Sequence, residues 1–170
     1  MYLRLIKKFI YINMAQIIKI EVSPLKRTAF LTTETAALLN INKKRLEQWN
    51  NRGIIKATGL PSAGRGVPRL YSLKDLLMLM MAKELTQNGM QLESLRDPIK
   101  KLYDRLPDDH ELYNIPTKPY FFAFNQDTEV FTNKLKEICE IMEQQEGLLV
   151  INVTRLQKKV ISALQEKQLA

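Results

Sequence analysis

One stretch constrains this chain more than any other: Thr32 to Tyr71, where two short amphipathic patterns meet at a pair of asparagines and lead into a loop of glycine and proline. Thr32 or Thr33 is placed to cap a first helix running to about Leu39, with Ala36 and Leu39 three apart on its inner face and Asn40 positioned to end it. Asn42 caps a second helix. Leu46 and Trp49 share its inner face, which leaves Lys43, Lys44, Glu47, Gln48 and Asn51 on the side open to solvent or a ligand. Gly53 closes that helix by supplying the left-handed residue a helix terminus often needs.

Two helices joined by a turn of about three residues, the second carrying long polar side chains outward, form a helix-turn-helix whose second helix can enter a major groove. A helical hairpin in a bundle would show the same pattern with its polar face merely solvated. The next segment separates the two readings. Ile54-Ile55-Lys56 and Arg69-Leu70-Tyr71 read as strands flanking a loop with Gly59, Pro61, Gly64, Gly66 and Pro68, a long-looped hairpin or wing. Arg65 lies in the loop, Lys56 and Arg69 lie in or beside the strands, and no acidic residue falls between Lys56 and Asp75. Such side chains suit phosphate contacts, which fix register without reading sequence.

From Thr33 to Leu106 the chain resembles the winged helix-turn-helix of the MerR family of bacterial transcription regulators. The matching runs are TTETAALLNINKKRLEQW, RGIIK, GVPRLYSLKDL and KELTQNGMQLESLR, in the family's order and spacing. The resemblance implies a mainly α fold with small β elements, double-stranded DNA as partner, and a homodimer acting in the cytoplasm at the nucleoid. The family's contacts do not carry over wholesale, and the contact set expected here is read from this chain's own residues. Lys43, Lys44, Gln48 and Asn51 would face base edges or nearby phosphates with Arg45 beside them, while Lys56, Arg65, Arg69 and Tyr71 would hold the backbone. The chain departs from the family pattern at Glu47, where relatives usually carry arginine, and at Gln48, where an aromatic often stands. Glu47 cannot bind phosphate but can accept from a cytosine amino group. In better-known members a long antiparallel coiled coil follows; here Pro107, Pro116 and Pro119 interrupt the heptads it would need.

Charge points the same way. The formal net charge of +8 and a pI near 9.6 indicate an anionic partner, because neutralising phosphates releases condensed counterions. A hydrophobic fraction of 45% over 170 residues is ordinary for a globular protein. The single cysteine, Cys139, excludes an intramolecular disulfide and a zinc-type cluster, and reads as a small buried hydrophobe. His110, alone of its kind, sits among Asp108, Asp109 and Glu111, where adjacent residues rarely face one point; a solvated loop is expected and no metal site. No glycine-rich phosphate loop, paired catalytic carboxylates or nucleophile-base constellation can be assembled, so neither an enzyme nor a cofactor is expected.

Four segments are expected. Residues 1–28 form an N-terminal extension, loosely packed, ahead of an alternative start at Met14, with a short strand at 17–22 and apolar runs too short for a membrane span. Residues 29–106 form the DNA-binding unit. In it Ser72 and Asp75 open a third helix through a capping box, the run LLMLMM from Leu76 to Met81 is buried on every side, Asn88-Gly89 interrupts, and Pro98 marks a break near Arg96. Residues 107–119 are a linker with at most a helical turn. Residues 120–170 are a small α+β appendage that dimerises or binds a partner protein: strands at Tyr120–Phe124, Thr128–Phe131 and Gly147–Val153, an ambiguous Leu135–Met142, and a last helix capped by Thr154 with Leu156, Val160, Ala163 and Leu164 as its apolar stripe.

The leading expectation is a sequence-specific double-stranded DNA-binding regulator, dimeric on a palindromic site. Two other classes fit the same residues: an antitoxin-like autoregulator whose C-terminal region clasps a partner protein, and a phage-type packaging or recombination factor.

Overall fold

The computed structural model describes residues 27–59 and 67–168. The expected strand at 17–22, the rest of the N-terminal extension and the loop residue Arg65 lie outside those residues. The fold is mainly helical with two small sheets, as expected. In chain order the elements are β1 (Phe30–Leu31), α1 (Thr32–Leu38), α2 (Lys43–Asn51), β2 (Leu70–Tyr71), α3 (Leu73–Gln87), α4 (Arg96–Arg105), β3 (Phe121–Phe124), β4 (Glu129–Thr132), α5 (Leu135–Gln144), β5 (Leu149–Asn152) and α6 (Val153–Gln168). Single 3-10 turns stand at Glu93–Leu95 and Glu111–Tyr113.

The start of α1 differs from expectation. Neither Thr32 nor Thr33 caps it; Leu31 is the cap residue, and its N–H donates to the Glu34 carboxylate at 2.8 Å. The reason is β1, which delivers the chain in extended form one residue earlier and leaves Glu34 to satisfy the first free donor. The other end follows expectation: Asn40 takes a left-handed φ of 48°. Asn42 then caps α2, its Oδ1 accepting from the Lys44 N–H at 2.9 Å, and Gly53 leaves the helix at a φ of 67°.

The expected hairpin is corrected. Leu70 and Tyr71 pair antiparallel with Leu31 and Phe30, not with Ile54 to Lys56. Ile54 and Ile55 are both buried, which a period-two strand with one solvated face does not allow, so that arm turns into the core. The two arms still touch. Gly59 N–H donates to the Leu70 carbonyl at 2.8 Å, and a Cβ on Gly59 would lie 2.9 Å from that oxygen, so only glycine permits the approach.

Ser72 and Asp75 form the expected capping box at α3. Buried residues circle that helix from Leu73 to Leu85, because β2 and α4 cover one side and α6 another. Asn88 ends it, Gly89 follows at a φ of 90°, and α4 opens at Arg96 with Pro98 in its first turn.

In the C-terminal part the strand order is β4-β3-β5, all antiparallel, with Phe122 opposite both Phe131 and Ile151. The ambiguous segment is helical, as α5. Two expectations fail here. Thr154 does not cap α6: Asn152 Oδ1 accepts from the Arg155 N–H at 2.9 Å, while the buried Thr154 hydroxyl accepts from Tyr120 N–H at 2.9 Å and ties α6 to the strand entry. Cys139 is exposed, because α5 turns Ile138 inward and its neighbour falls on the solvent side. The interval 107–119 is held at both ends of the fold: Lys74 N–H donates to Asp109, Leu112 is buried, and Gln157 Nε2 donates to the Leu112 carbonyl at 2.6 Å. One continuous core runs from Phe30 through α3 to Leu164.

Candidate nucleic-acid interface

Asn42 fixes the origin of α2, and burial of Leu46 and Trp49 fixes its rotation. What remains outward follows from the helical period: Lys43, Lys44, Arg45, Gln48 and Asn51 are all exposed. Lys43 lies 3.9 Å from Glu47 one turn on, so part of its charge is met within the helix. Lys44 has no ion pair among the described residues. Arg45 leans back, its guanidinium 4.9 Å from the centre of the Trp49 ring and donating to Thr86 Oγ1 at 3.0 Å.

The second arm of the wing joins this surface through one bond. Arg69 donates to Asn51 Oδ1 at 2.9 Å, which brings its exposed guanidinium to the C-terminal end of α2. Asn51 therefore orients a cation as well as facing outward. Lys56, on the first arm, is exposed beside Gly53. Tyr71 departs from its expected place: paired with Phe30 in the small sheet, it is wholly enclosed, burial pushes its phenol above the usual range, and it offers no face to a phosphate.

The sequence reading missed the residues that set this surface's shape. Asn50 Oδ1 accepts from the Ala57 N–H at 3.0 Å, pinning the first arm to α2. Asp75, read only as part of a cap, also accepts from the Thr58 N–H at 2.8 Å and from its hydroxyl, and that hydroxyl meets Tyr103 Oη at 3.0 Å. Burial pushes the Asp75 carboxyl above its usual range while bonds from Ser72 and Thr58 pull the other way. Arg52, also exposed, pairs with Glu93 at 2.8 Å, and its carbonyl accepts from Arg96. The missed signal is the polar residue on a helix face that should be half-buried: Asn50 lies next to Trp49, where no solvent-facing role explains it.

The arrangement can therefore present a helix of cations and amides together with a guanidinium from the wing to a polyanion. Among the described residues no group of histidine, cysteine or carboxylate side chains could hold a metal ion, and no helix is long and apolar enough to cross a membrane.

The chain is 25% identical over 128 residues to uncharacterized HTH-type transcriptional regulators of Mycobacterium tuberculosis and Mycobacterium bovis, covering 75% of this chain and 53% of theirs. It thus spans about half the length of the curated relatives it matches. Among solved structures, a MerR-family transcriptional regulator from Bacillus cereus aligns at 16% identity over 82% of this chain and 98% of that one, with a TM-score of 0.37. The family described as MerR HTH family regulatory protein matches residues 30–102, which run from β1 into α4 and include α2 and both arms of the wing. Over residues 30–102, a little less than half of the chain, the sequence is thus similar to the MerR HTH family regulatory proteins.

Proposed function

We propose that this chain is a sequence-specific double-stranded DNA-binding transcriptional regulator, working as a twofold pair on a palindromic site. One observation carries the reading: α2 and the wing arm share a single cationic surface, locked together by Arg69 on Asn51. Lys43, Lys44 and Gln48 enter the major groove, the two lysines against the phosphates at its edge and Gln48 toward the bases. Arg69, Lys56 and Arg65 grip flanking phosphates, and Arg45 and Arg52 stiffen the ends of α2. A single unit of this size has a small footprint, so two copies on related half-sites supply the affinity.

The test replaces Lys43 and Lys44 together with alanine and titrates duplex binding by fluorescence anisotropy at several salt concentrations. Each lost phosphate contact lowers the slope of log affinity against log salt by about 0.9, so the pair flattens it by up to about 2. Both sites are exposed, and unchanged circular dichroism checks that the fold is kept. An unchanged slope removes α2 from the DNA. Failure of the unaltered protein to prefer any genomic fragment over random competitor removes the sequence-specific reading altogether.

A further inference from the structure

The C-terminal sheet ends in two edge strands, β4 and β5, and only one of them is guarded. Edge strands are ordinarily blunted by charge, proline or a bulge, because unpaired backbone groups recruit further strands. β4 carries Glu129, held by Lys101 and Arg105. β5, Leu149–Asn152, carries neither charge nor proline. Which of its backbone groups are open follows from one bond. Val153 N–H donates to the Tyr120 carbonyl at 2.9 Å, and the register sets Ile151 opposite Phe122 and Leu149 opposite Phe124. Bonding to a neighbour alternates along an antiparallel strand, so Leu149 and Ile151 bond to β3 while Val150 and Asn152 turn their backbone outward. The Asn152 carbonyl, at the cap position of α6, serves the helix. Val150 N–H, the Val150 carbonyl and Asn152 N–H are left without a backbone partner among the described residues, and Val150 is 37% exposed.

These groups border a trench of about 410 Å³ between β5, α3 and the first turns of α6. Its floor is apolar, formed by Met81, Leu85 and Leu156 on the core side of the sheet, the face that Leu149 and Ile151 share. Three charged residues line it. Lys159 pairs with Glu84, whereas exposed Arg155 has no ion pair among the described residues, so the trench is net positive. An open strand edge takes backbone. Nucleic acid offers no N–H and carbonyl groups at strand spacing, and an extended peptide does.

We infer that this trench binds an extended acidic segment of a partner protein, added antiparallel to β5 as a fourth strand. The residue opposite Val150 shares its face and exchanges both hydrogen bonds with it, while the residues on either side of that one point to the floor. The segment therefore alternates. Its apolar side chains rest on Met81 and Leu85, its acidic ones lie on the other face, and the carboxylates nearest α6 are drawn to Arg155. The backbone bonds are few, so binding is weak and reversible. The inference stands independently of the DNA reading.

The probe is a fluorescein-labelled peptide alternating valine and glutamate, titrated with the full chain by anisotropy. Saturable binding is expected, and a valine–lysine peptide is expected to bind about tenfold more weakly or worse. N-methylation at every glutamate blocks the amides that face β5 and is expected to abolish binding. N-methylation at every valine, whose amides face away, is expected to spare it. Val150→Pro removes the outward N–H at an edge position where proline is tolerated, and is expected to weaken binding about tenfold or more with circular dichroism unchanged. Should that variant lose its fold, Arg155→Glu at an exposed site decides: it is expected to weaken the valine–glutamate peptide and admit the valine–lysine one. No binding by the valine–glutamate peptide, equal binding by the two methylated forms, or indifference to the folded variants overturns the inference. So does a chain that sediments as a dimer and is released by Val150→Pro, which gives this edge to a second copy.

Discussion

Asn51 accepts from Arg69 across eighteen positions of the chain, and that bond joins α2 to the wing. Arginine at an exposed site pays a large side-chain entropy when a phosphate orders it, and a partner that already holds the guanidinium reduces that cost. Asn51→Ala should therefore weaken DNA binding largely through Arg69. In a double-mutant cycle with Arg69→Ala, measured by anisotropy, the two losses are expected to fall short of adding by about 1 kcal/mol. Strict additivity would mean that Asn51 acts on a base edge by itself. The same logic explains Asp75, whose buried carboxylate fixes Thr58 just before Gly59 crosses the Leu70 carbonyl. The wing's first arm is set from behind by hydrogen bonds, with little strand pairing to set it from the side.

At the level of elements, β4 is tied to α4 by Glu129, which receives Lys101 at 2.6 Å and Arg105 at 3.1 Å. Those two cations, Lys101 foremost, hold its carboxyl below the ordinary value of 4.5. A carboxyl lowered on folding stabilises the native state above its unfolded value and loses that contribution as pH falls through the folded one. Urea midpoints of the native protein should accordingly exceed those of Glu129→Gln by a constant margin at neutral pH, and the margin should close as pH falls below 4.5. A margin that persists in acid would assign the effect to shape. Elements with a clear period or cap were legible in the sequence: α2 between Asn42 and Gly53, the all-round apolar α3, the break before α4 at Pro98, and the three C-terminal strands. What was not legible depended on distant partners. Nothing local tells Leu70 and Tyr71 to pair with Phe30 and Leu31, since a two-residue strand has no periodicity to read. Thr154 and Asn152 are equally good caps by type, and only the approach of Tyr120 decides between them. For Cys139 the general tendency of the residue to be buried lost to the rotation of α5, which Ile138 sets. At the candidate interface the exposed face of α2 was readable from its period; the enclosure of Tyr71 and the Asn51–Arg69 bond, both tertiary, were not.

On the scale of the whole molecule, the family-matched part, residues 30–102, does not bury α3 unaided. Leu156, Val160 and Leu164 of α6 belong to the same core as Leu46 and Trp49, and Lys159 pairs with Glu84 along the α3–α6 seam. Fully burying such a side chain contributes about 1.5–3 kcal/mol, so those three together supply roughly 5–9 kcal/mol, comparable with the total stability of about 5–15 kcal/mol usual for a domain. Removing α6 should therefore unfold α2 as well. Two measurements check this. In the intact chain, urea unfolding followed by Trp49 fluorescence, which reports on α2, should coincide with far-ultraviolet circular dichroism, which reports on all the helices. A chain ended after Leu106 should show the Trp49 emission of an unfolded protein without denaturant, or aggregate through the bared methionine and leucine face of α3. If that shortened chain instead keeps a buried tryptophan and binds duplex with the affinity of the intact protein's monomer, the α3–α6 contact is dispensable to the reading head. The C-terminal region would then serve pairing alone, and substitutions in α6 would leave DNA binding by a single copy untouched.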